Sequence, residues 1–309
     1  MSFEQIYQNQ VALLIDTLPV LNQFECFALK GGTAINLFFQ NMPRLSIDID
    51  LTYLFIEPRD EFLINIEAQL TKMKQLLSKK NLIIQEVRTK SGVLAKLLVY
   101  QNNAVIKIEP NFTLRSTVFP CEDKELCQKA QDTFFKYVRT KTLSKADVYG
   151  GKICAALDRH HPRDLFDVKL LIEHGGINDE IRQAFVVYLA STNRPMHELL
   201  SPQPTNDVFK REFETLFNKQ FAGMTDLPVT HTELLPIQRE LAIQLINDFS
   251  DKERQFLLSV KSGEPEWSLM PLSGIDQLPG IQWKLQNINK LEKQKKQELL
   301  DKLKAALQI

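Results

Sequence analysis

Asp48 and Asp50 stand two residues apart in a segment where Leu45, Ile47, Ile49 and Leu51 alternate with Ser46 and the two acids. A two-residue period is that of a β-strand, so both carboxylates leave the same face. Two ionised carboxylates held that close repel one another and are costly to desolvate unless a cation lies between them. Magnesium is the expected cation. Ahead of the acids, the apolar run Phe27, Ala28, Leu29 stops at Gly31, Gly32 and Thr33, and the run from Ala34 to Phe39 reads as a helix. Glycines at such a junction let backbone N–H groups approach a phosphate at a helix N-terminus. A glycine pair alone is often a plain turn, and two acids on a strand are often a solvated face. Glycines, helix and paired acids in this order point instead to metal-assisted chemistry on a phosphate.

Later stretches add candidates. Between Val105 and Pro110, Ile106 and Ile108 face one way while Lys107 and Glu109 face the other, which makes Glu109 a candidate third acid. Ser144 with Asp147 three residues on is a capping signal, and it predicts a helix from about Lys145 to Arg159. Lys152 lies in that helix among the small residues Gly150, Gly151, Ala155 and Ala156, where a ligand could come close. Pro162 can open the next helix, with Arg163, Asp164 and Asp167 in its first turns and Leu165, Val168, Leu171 and Ile172 toward a core. Asp164 and Asp167 are surface neighbours there, and contact with the helix N-terminus would account for them as well as a functional role would. His160 and His161 have no third histidine at metal-ligand spacing and read as exposed loop residues.

Gly31-Gly32, a helix and Asp48-x-Asp50 resemble the signature of the DNA polymerase beta-like nucleotidyltransferase superfamily. More narrowly, GGTAINL with RLSIDIDL, and the later GGKICAALDRHHPRDLFDVKLL, resemble the AbiEii/AbiGii nucleotidyltransferase toxin family of bacteria, to which the MenT toxins are related. The resemblance implies transfer of a nucleotide from a nucleoside triphosphate, with two Mg2+ ions held by Asp48, Asp50 and Glu109, the third acid coming from a neighbouring strand. It implies phosphate contacts from Gly31, Gly32 and Thr33, a nucleotide site extended by Arg44, Ser46, Arg163 and Asp164, and a motif lysine, Lys152, that balances triphosphate charge while Asp167 holds it. The implied acceptor is the 3′ end of tRNA, where added nucleotides would block aminoacylation, and the implied partner is a separately encoded antitoxin. The same motifs would serve a nucleotidyltransferase acting on a protein hydroxyl, or a non-catalytic nucleotide-binding module.

Charge adds little to this choice, because 38 Lys and Arg balance 38 Asp and Glu and give no basic excess for nucleic acid. Any basic track must be local, and Lys136, Arg139, Lys141 and Lys145 form the nearest cluster. No apolar run is long enough to cross a bilayer, and Glu4 stands where a leader would be basic, so a cytoplasmic protein is expected. Four cysteines without a C-x-x-C pair indicate neither a zinc site nor a disulfide framework.

The elements that must position these residues follow from apolar periodicity. An amphipathic helix over residues 3–18 should end near Pro19, and a long helix after Pro58 carries Phe62, Ile66, Leu70, Met73 and Leu77 at helical spacing. Apolar runs at 82–84, 93–100 and 104–108, the last two joined by Asn102 and Asn103, predict a β-meander. The metal strand, Ile47–Leu54, should be central. The fold class is therefore α/β (α+β): a mixed-sheet nucleotidyltransferase core over residues 1–175, then a mainly helical C-terminal domain over 176–309. Helices are expected there at 181–189, 207–217, 232–249, 251–261 and 284–307, with loops at 191–205 and 263–280.

Overall fold

The computed structural model describes residues 3–201 and 206–309. The chain divides into two compact units, Met1–Ser144 with Ala222–Pro228, and Lys145–Phe221 with Val229–Ile309. Among the described residues every strand of the sheet lies in the first unit.

The first unit begins with α1 (Gln5–Leu21), which runs past Pro19 instead of ending there, because Val20 and Leu21 are both buried and packing carries the last turn. Strands β1 (Phe27–Lys30), β2 (Asp48–Tyr53), β3 (Ile83–Arg88), β4 (Leu94–Gln101), β5 (Ala104–Asn111), β6 (Glu122–Glu125) and β7 (Arg139–Thr142) form one sheet in the order β3-β4-β5-β2-β1-β7-β6. The acid-bearing β2 is thus its middle strand, parallel to β5 and antiparallel to β1. Ile49, Leu51 and Tyr53 are buried, which fixes the face from which Asp48 and Asp50 project. The expected meander is β3, β4 and β5, and Asn102 takes the left-handed conformation that a two-residue hairpin turn needs. Strands β6 and β7 were not expected, since neither carries an apolar alternation. Helix α2 (Gly31–Ala34) starts on the glycine pair and continues as a wider π-helical turn over Ile35–Phe39. Helix α3 (Arg59–Ser78) buries the five residues whose spacing announced it. The segment Ala222–Pro228 returns to this unit through backbone bonds from Glu4 N to Gly223 O at 3.1 Å and from Leu45 N to Met224 O at 2.6 Å.

The second unit starts at Lys145, well before residue 175, because the helices of the second motif pack with those that follow. In chain order, α4 (Gln128–Phe134) closes the helices of the first unit, and α5 (Lys145–Arg159), α6 (Pro162–Glu173) and α7 (Asp179–Ser191) open the second. A Cβ added at Gly150 of α5 would lie 2.8 Å from the backbone nitrogen of Phe185 in α7, so the two helices approach closely at that glycine. The helix expected over 232–249 is two, His231–Leu234 and Ile237–Asp248, parted at Pro236, and the last is also two, Pro279–Asn289 and Lys293–Leu307. A short helix, Met196–Leu200, lies in the expected loop 191–205, of which residues 202–205 are outside the described residues. Among the described residues no helix is long and apolar enough to cross a membrane.

Candidate active site

In the first unit the structure brings together Gly31, Gly32, Thr33, Arg44, Ser46, Asp48, Asp50 and Glu109. Gly31 has φ +72°, and a Cβ placed on it would come within 2.5 Å of Asp50 Oδ2. Glycine is therefore required twice over, by its left-handed backbone and by the carboxylate lying against it. At Gly32 an added Cβ would lie 2.6 Å from Arg44 Nη2 and 2.9 Å from Ser46 Oγ. Thr33 Oγ1 is 3.0 Å from Ser46 Oγ and 2.5 Å from the Asp48 carbonyl oxygen, and these contacts tie the glycine turn to the start of β2. Arg44 is only 1% exposed and donates from Nη1 to the Leu45 carbonyl at 2.9 Å, so it sits behind the turn and not at an open mouth of the strand.

Register decides what stands beside the two aspartates. Asp48 is paired with Lys107 and Asp50 with Glu109 across the parallel β2 and β5, and residues paired in this way project from the same face. Glu109 is thus on the face where it was expected. Its Oε2, however, is 2.8 Å from Lys107 Nζ and its Oε1 is 3.6 Å from Lys96 Nζ on β4, while Lys107 Nζ is also 3.9 Å from Asp48 Oδ1. Burial acts to raise the Glu109 carboxyl, but the Lys107 hydrogen bond and the charges of Lys107 and Lys96 hold it below its usual value. Burial acts likewise to lower Lys107, and Glu109, Asp48 and Asp50 outweigh it and raise the ammonium above its usual value. Among the described residues no three His, Cys, Asp or Glu side chains are arranged to hold a metal ion. Glu109 shares the face of the two aspartates, and its carboxylate is engaged there by Lys107 and Lys96. Asp48 and Asp50 are two acids on one strand face of the kind that could hold a divalent ion, with the Asp50 carboxylate against Gly31 and Lys30 of β1 paired with Asp50 by register.

Lys152, Arg163, Asp164 and Asp167 belong to the second unit. Lys152 Nζ donates to Asp164 Oδ1 at 2.7 Å and lies 3.0 Å from Asp167 Oδ2, with all three side chains at most 6% exposed. Arg159 Nε adds a bond of 2.7 Å to Asp164 Oδ2. Burial would raise the Asp164 carboxyl, yet the charges of Lys152 and Arg159 hold it well below the ordinary carboxylate range. His160 and His161 are half-buried, not exposed as expected. His161 Nδ1 accepts from the Arg163 N–H at 3.2 Å and so caps α6, and His160 packs against Phe209 and Phe213. Of the basic cluster, Lys136 pairs with Asp16 at 2.5 Å and Lys141 Nζ is 3.4 Å from the Glu25 carbonyl oxygen, both in the first unit, whereas Lys145 opens α5 in the second.

The family described as "Nucleotidyl transferase AbiEii toxin, Type IV TA system" matches residues 12–286. The chain belongs to this AbiEii family. This AbiEii-family chain has a fold similar to that of MenT4, a nucleotidyltransferase toxin from Mycobacterium tuberculosis, with a TM-score of 0.59 over 96% of this chain and 93% of that chain at 15% sequence identity. Comparison with curated proteins gives no match. The resemblance carried by the two motifs, the α/β class and the nucleotidyltransferase toxin assignment therefore stand.

Sequence reasoning placed Lys107 on the face of Glu109 but gave it no part, and it missed Lys96 altogether. The alternation in β5 contained the first signal, whereas the second needs the β4–β5 register. The glycine geometry of this AbiEii site yields a direct expectation. Gly31→Ala should destabilise the first unit by about 1–3 kcal/mol and reduce nucleotidyl transfer at least about tenfold, through the left-handed backbone and the clash with Asp50. Gly151→Ala is the control: it lies in helix α5 with nothing within 4 Å of an added Cβ, and alanine there should be neutral or stabilising by up to about 1 kcal/mol. Thermal unfolding and label transfer on both variants check the pair.

Proposed function

We propose that this AbiEii-family nucleotidyltransferase adds nucleotides from a nucleoside triphosphate to the 3′ end of tRNA, and that a separately encoded antitoxin restrains it. The observation that carries the reading is the pair Asp48 and Asp50 on the middle strand, with the Gly31 backbone turned left-handed against the Asp50 carboxylate. Asp48 and Asp50 would hold a Mg2+ ion, which when bound supplies positive charge to the reacting phosphate and the leaving pyrophosphate. The turn Gly31-Gly32 is held to β2 by Thr33 and Ser46, so its position relative to the two acids is preset before a triphosphate arrives. Lys107 and Lys96 reduce the negative charge of this face and lessen its repulsion of a polyanionic substrate. A nucleotide added at the 3′ end of tRNA would prevent aminoacylation and arrest translation, the outcome expected of a toxin.

The test is incubation of the protein with each α-labelled nucleoside triphosphate, Mg2+, total RNA and a protein extract, followed by separation of the polymers. Label in RNA of tRNA size, lost on addition of a chelator, is the expected result. Label confined to protein would overturn the RNA acceptor and favour transfer to a Ser, Thr or Tyr hydroxyl, and release of no pyrophosphate with any nucleotide would overturn catalysis.

A further inference from the structure

Strand register carries the face of the two aspartates outward across the sheet. Asp48 of β2 is paired with Lys107 of β5, Lys107 with Leu98 of β4, and Leu98 with Gln85 of β3, so these residues form one row on one face. A second row, on the side of Asp48 away from Asp50, joins Val105, Tyr100 and Ile83. The opposite face is closed. There Leu97, Val99, Ile106 and Ile108 are at most 2% exposed, and Lys74 of α3 reaches Glu86, the register partner of Leu97, at 2.9 Å. A sheet covered on one side normally carries polar residues on the other. Here the open side departs from that rule: Ile83 is 72% exposed, and Leu98, Tyr100 and Val105 are only half-buried. An apolar and aromatic patch open to solvent and continuous with a candidate active site marks a binding surface.

We infer, on the reading of Asp48 and Asp50 as a nucleotidyltransferase site with an RNA acceptor, that this patch is the acceptor platform: the unpaired 3′ nucleotides lie across β5, β4 and β3, with a base stacked on Tyr100. An acceptor whose terminal hydroxyl reaches the aspartates must lay its preceding nucleotides on the adjoining surface. Neighbouring strands are about 4.8 Å apart, so Leu98 stands about 10 Å from Asp48 across the sheet, a distance bridged by a short stretch of single strand. Lys107 lies between the two in the same row, where the sugar-phosphate backbone crosses. Charge alone does not hold the RNA, because Lys30, Lys96 and Lys107 on this face are matched by Asp48, Asp50 and Glu109. Stacking must supply the rest, and it tolerates any base because every base has a π-face. Unpaired bases can splay onto a sheet-borne ring, whereas bases locked in a duplex cannot. The Tyr100 hydroxyl donates to Gln85 Oε1 at 3.0 Å, which orients the ring before RNA arrives.

The experiment is titration of a short fluorescein-labelled single-stranded RNA, with a free 3′ hydroxyl, by the full chain without Mg2+, read by fluorescence anisotropy. ATP, GTP, CTP and UTP are titrated in turn, and circular dichroism checks the fold of every variant. Tyr100→Ala should weaken RNA binding by about tenfold, and Tyr100→Phe, which keeps the ring and loses only the Gln85 bond, should stay within about twofold of wild type. Ile83→Ser, at an exposed position, should weaken RNA binding by about threefold and leave thermal unfolding unchanged. A blunt RNA duplex should bind at least about tenfold more weakly than the single strand. Nucleoside triphosphate binding should stay within about twofold in all three variants, since its phosphates belong to the glycine turn. The proposal is overturned if Tyr100→Ala and Ile83→Ser both bind the single strand as wild type does. It is also overturned if Tyr100→Ala weakens triphosphate binding and spares RNA, which gives the patch to the donor's base. Failure of the RNA-acceptor reading is distinct, because it shows in the wild type, as label confined to protein with no affinity for RNA. Should Tyr100→Ala fail to fold, Tyr100→Leu keeps the apolar bulk, removes the π-face and answers the same question.

Discussion

Asp50→Asn should reduce nucleotidyl transfer by about a thousandfold or more while the protein stays folded. The substitution keeps the shape of the side chain, so the space that Gly31 leaves beside Oδ2 remains filled to the same extent. It removes a negative charge that Asp48 on the same strand face repels, and loss of that repulsion offsets lost contacts. Stability should therefore change by no more than about 1 kcal/mol in either direction. Activity has no such compensation, because an amide offers one carbonyl oxygen and no charge where a cation must be held. Raising Mg2+ should restore little, whereas a variant merely loosened in the fold would keep its Mg2+ dependence. The measurements are label transfer to RNA over a Mg2+ series and a thermal unfolding curve. Transfer within about tenfold of wild type would remove Asp50 from the chemistry altogether.

The parts of this fold that could be read from the sequence are those where a single element carries its own signal. Phe62, Ile66, Leu70, Met73 and Leu77 repeat at helical spacing, and all five are buried. The strand bearing Asp48 and Asp50 alternates cleanly and lies at the middle of the sheet, as the buried Ile49 and Leu51 require. Pro162 marked the start of α6. What could not be read depends on partners distant in the chain. Strands β6 and β7 have the sequences Glu-Asp-Lys-Glu and Arg-Thr-Lys-Thr, and their pairing comes from each other and from β1, not from apolar alternation. The return of Ala222–Pro228 to the first unit rests on backbone bonds to Glu4 and Leu45 that no local pattern announces. Pro19 misled for the opposite reason: a local stop signal was overridden by burial of the two residues after it.

The site divides along the same line. Gly31, Gly32, Asp48 and Asp50 were legible because type and order suffice to suggest them. The neighbours that set their electrostatics were not, because Lys96 and Lys107 acquire meaning only through cross-strand register. For Arg44, next to a motif, the sequence alone did not show its burial. It was expected to extend the nucleotide site, and its guanidinium is buried against Gly32. A buried arginine there fixes the turn, and that turn presents the backbone to Asp50.

Lys152→Met should destabilise the second unit by about 3–5 kcal/mol, because it strands Asp164 and Asp167 as buried carboxylates without their shared cation. Lys152 lies within 3.0 Å of both acids, and the two carboxylate side chains are at most 3% exposed, so water cannot take over the lost interaction. Arg159 remains beside Asp164, but its side chain is 62% exposed and its pairing is screened, so Arg159→Ala should cost about 1 kcal/mol or less. Both tryptophans, Trp267 and Trp283, lie in the second unit, so their fluorescence during urea unfolding reports on this unit and not on the sheet. The effect should depend on pH with a definite sign. In the wild type the Asp164 carboxyl is held below its unfolded value, so its contribution is present above about pH 4 and is lost as pH falls further. In Lys152→Met, burial with less compensating charge shifts Asp164 in the other direction, and protonation relieves the folded state as pH falls. The gap between wild type and variant should therefore be widest near neutrality and narrow in acid. A variant whose tryptophan-detected unfolding stays within about 1 kcal/mol of wild type at neutral pH, while its affinity for nucleotide drops, would show that the lysine serves the triphosphate first and the aspartates second.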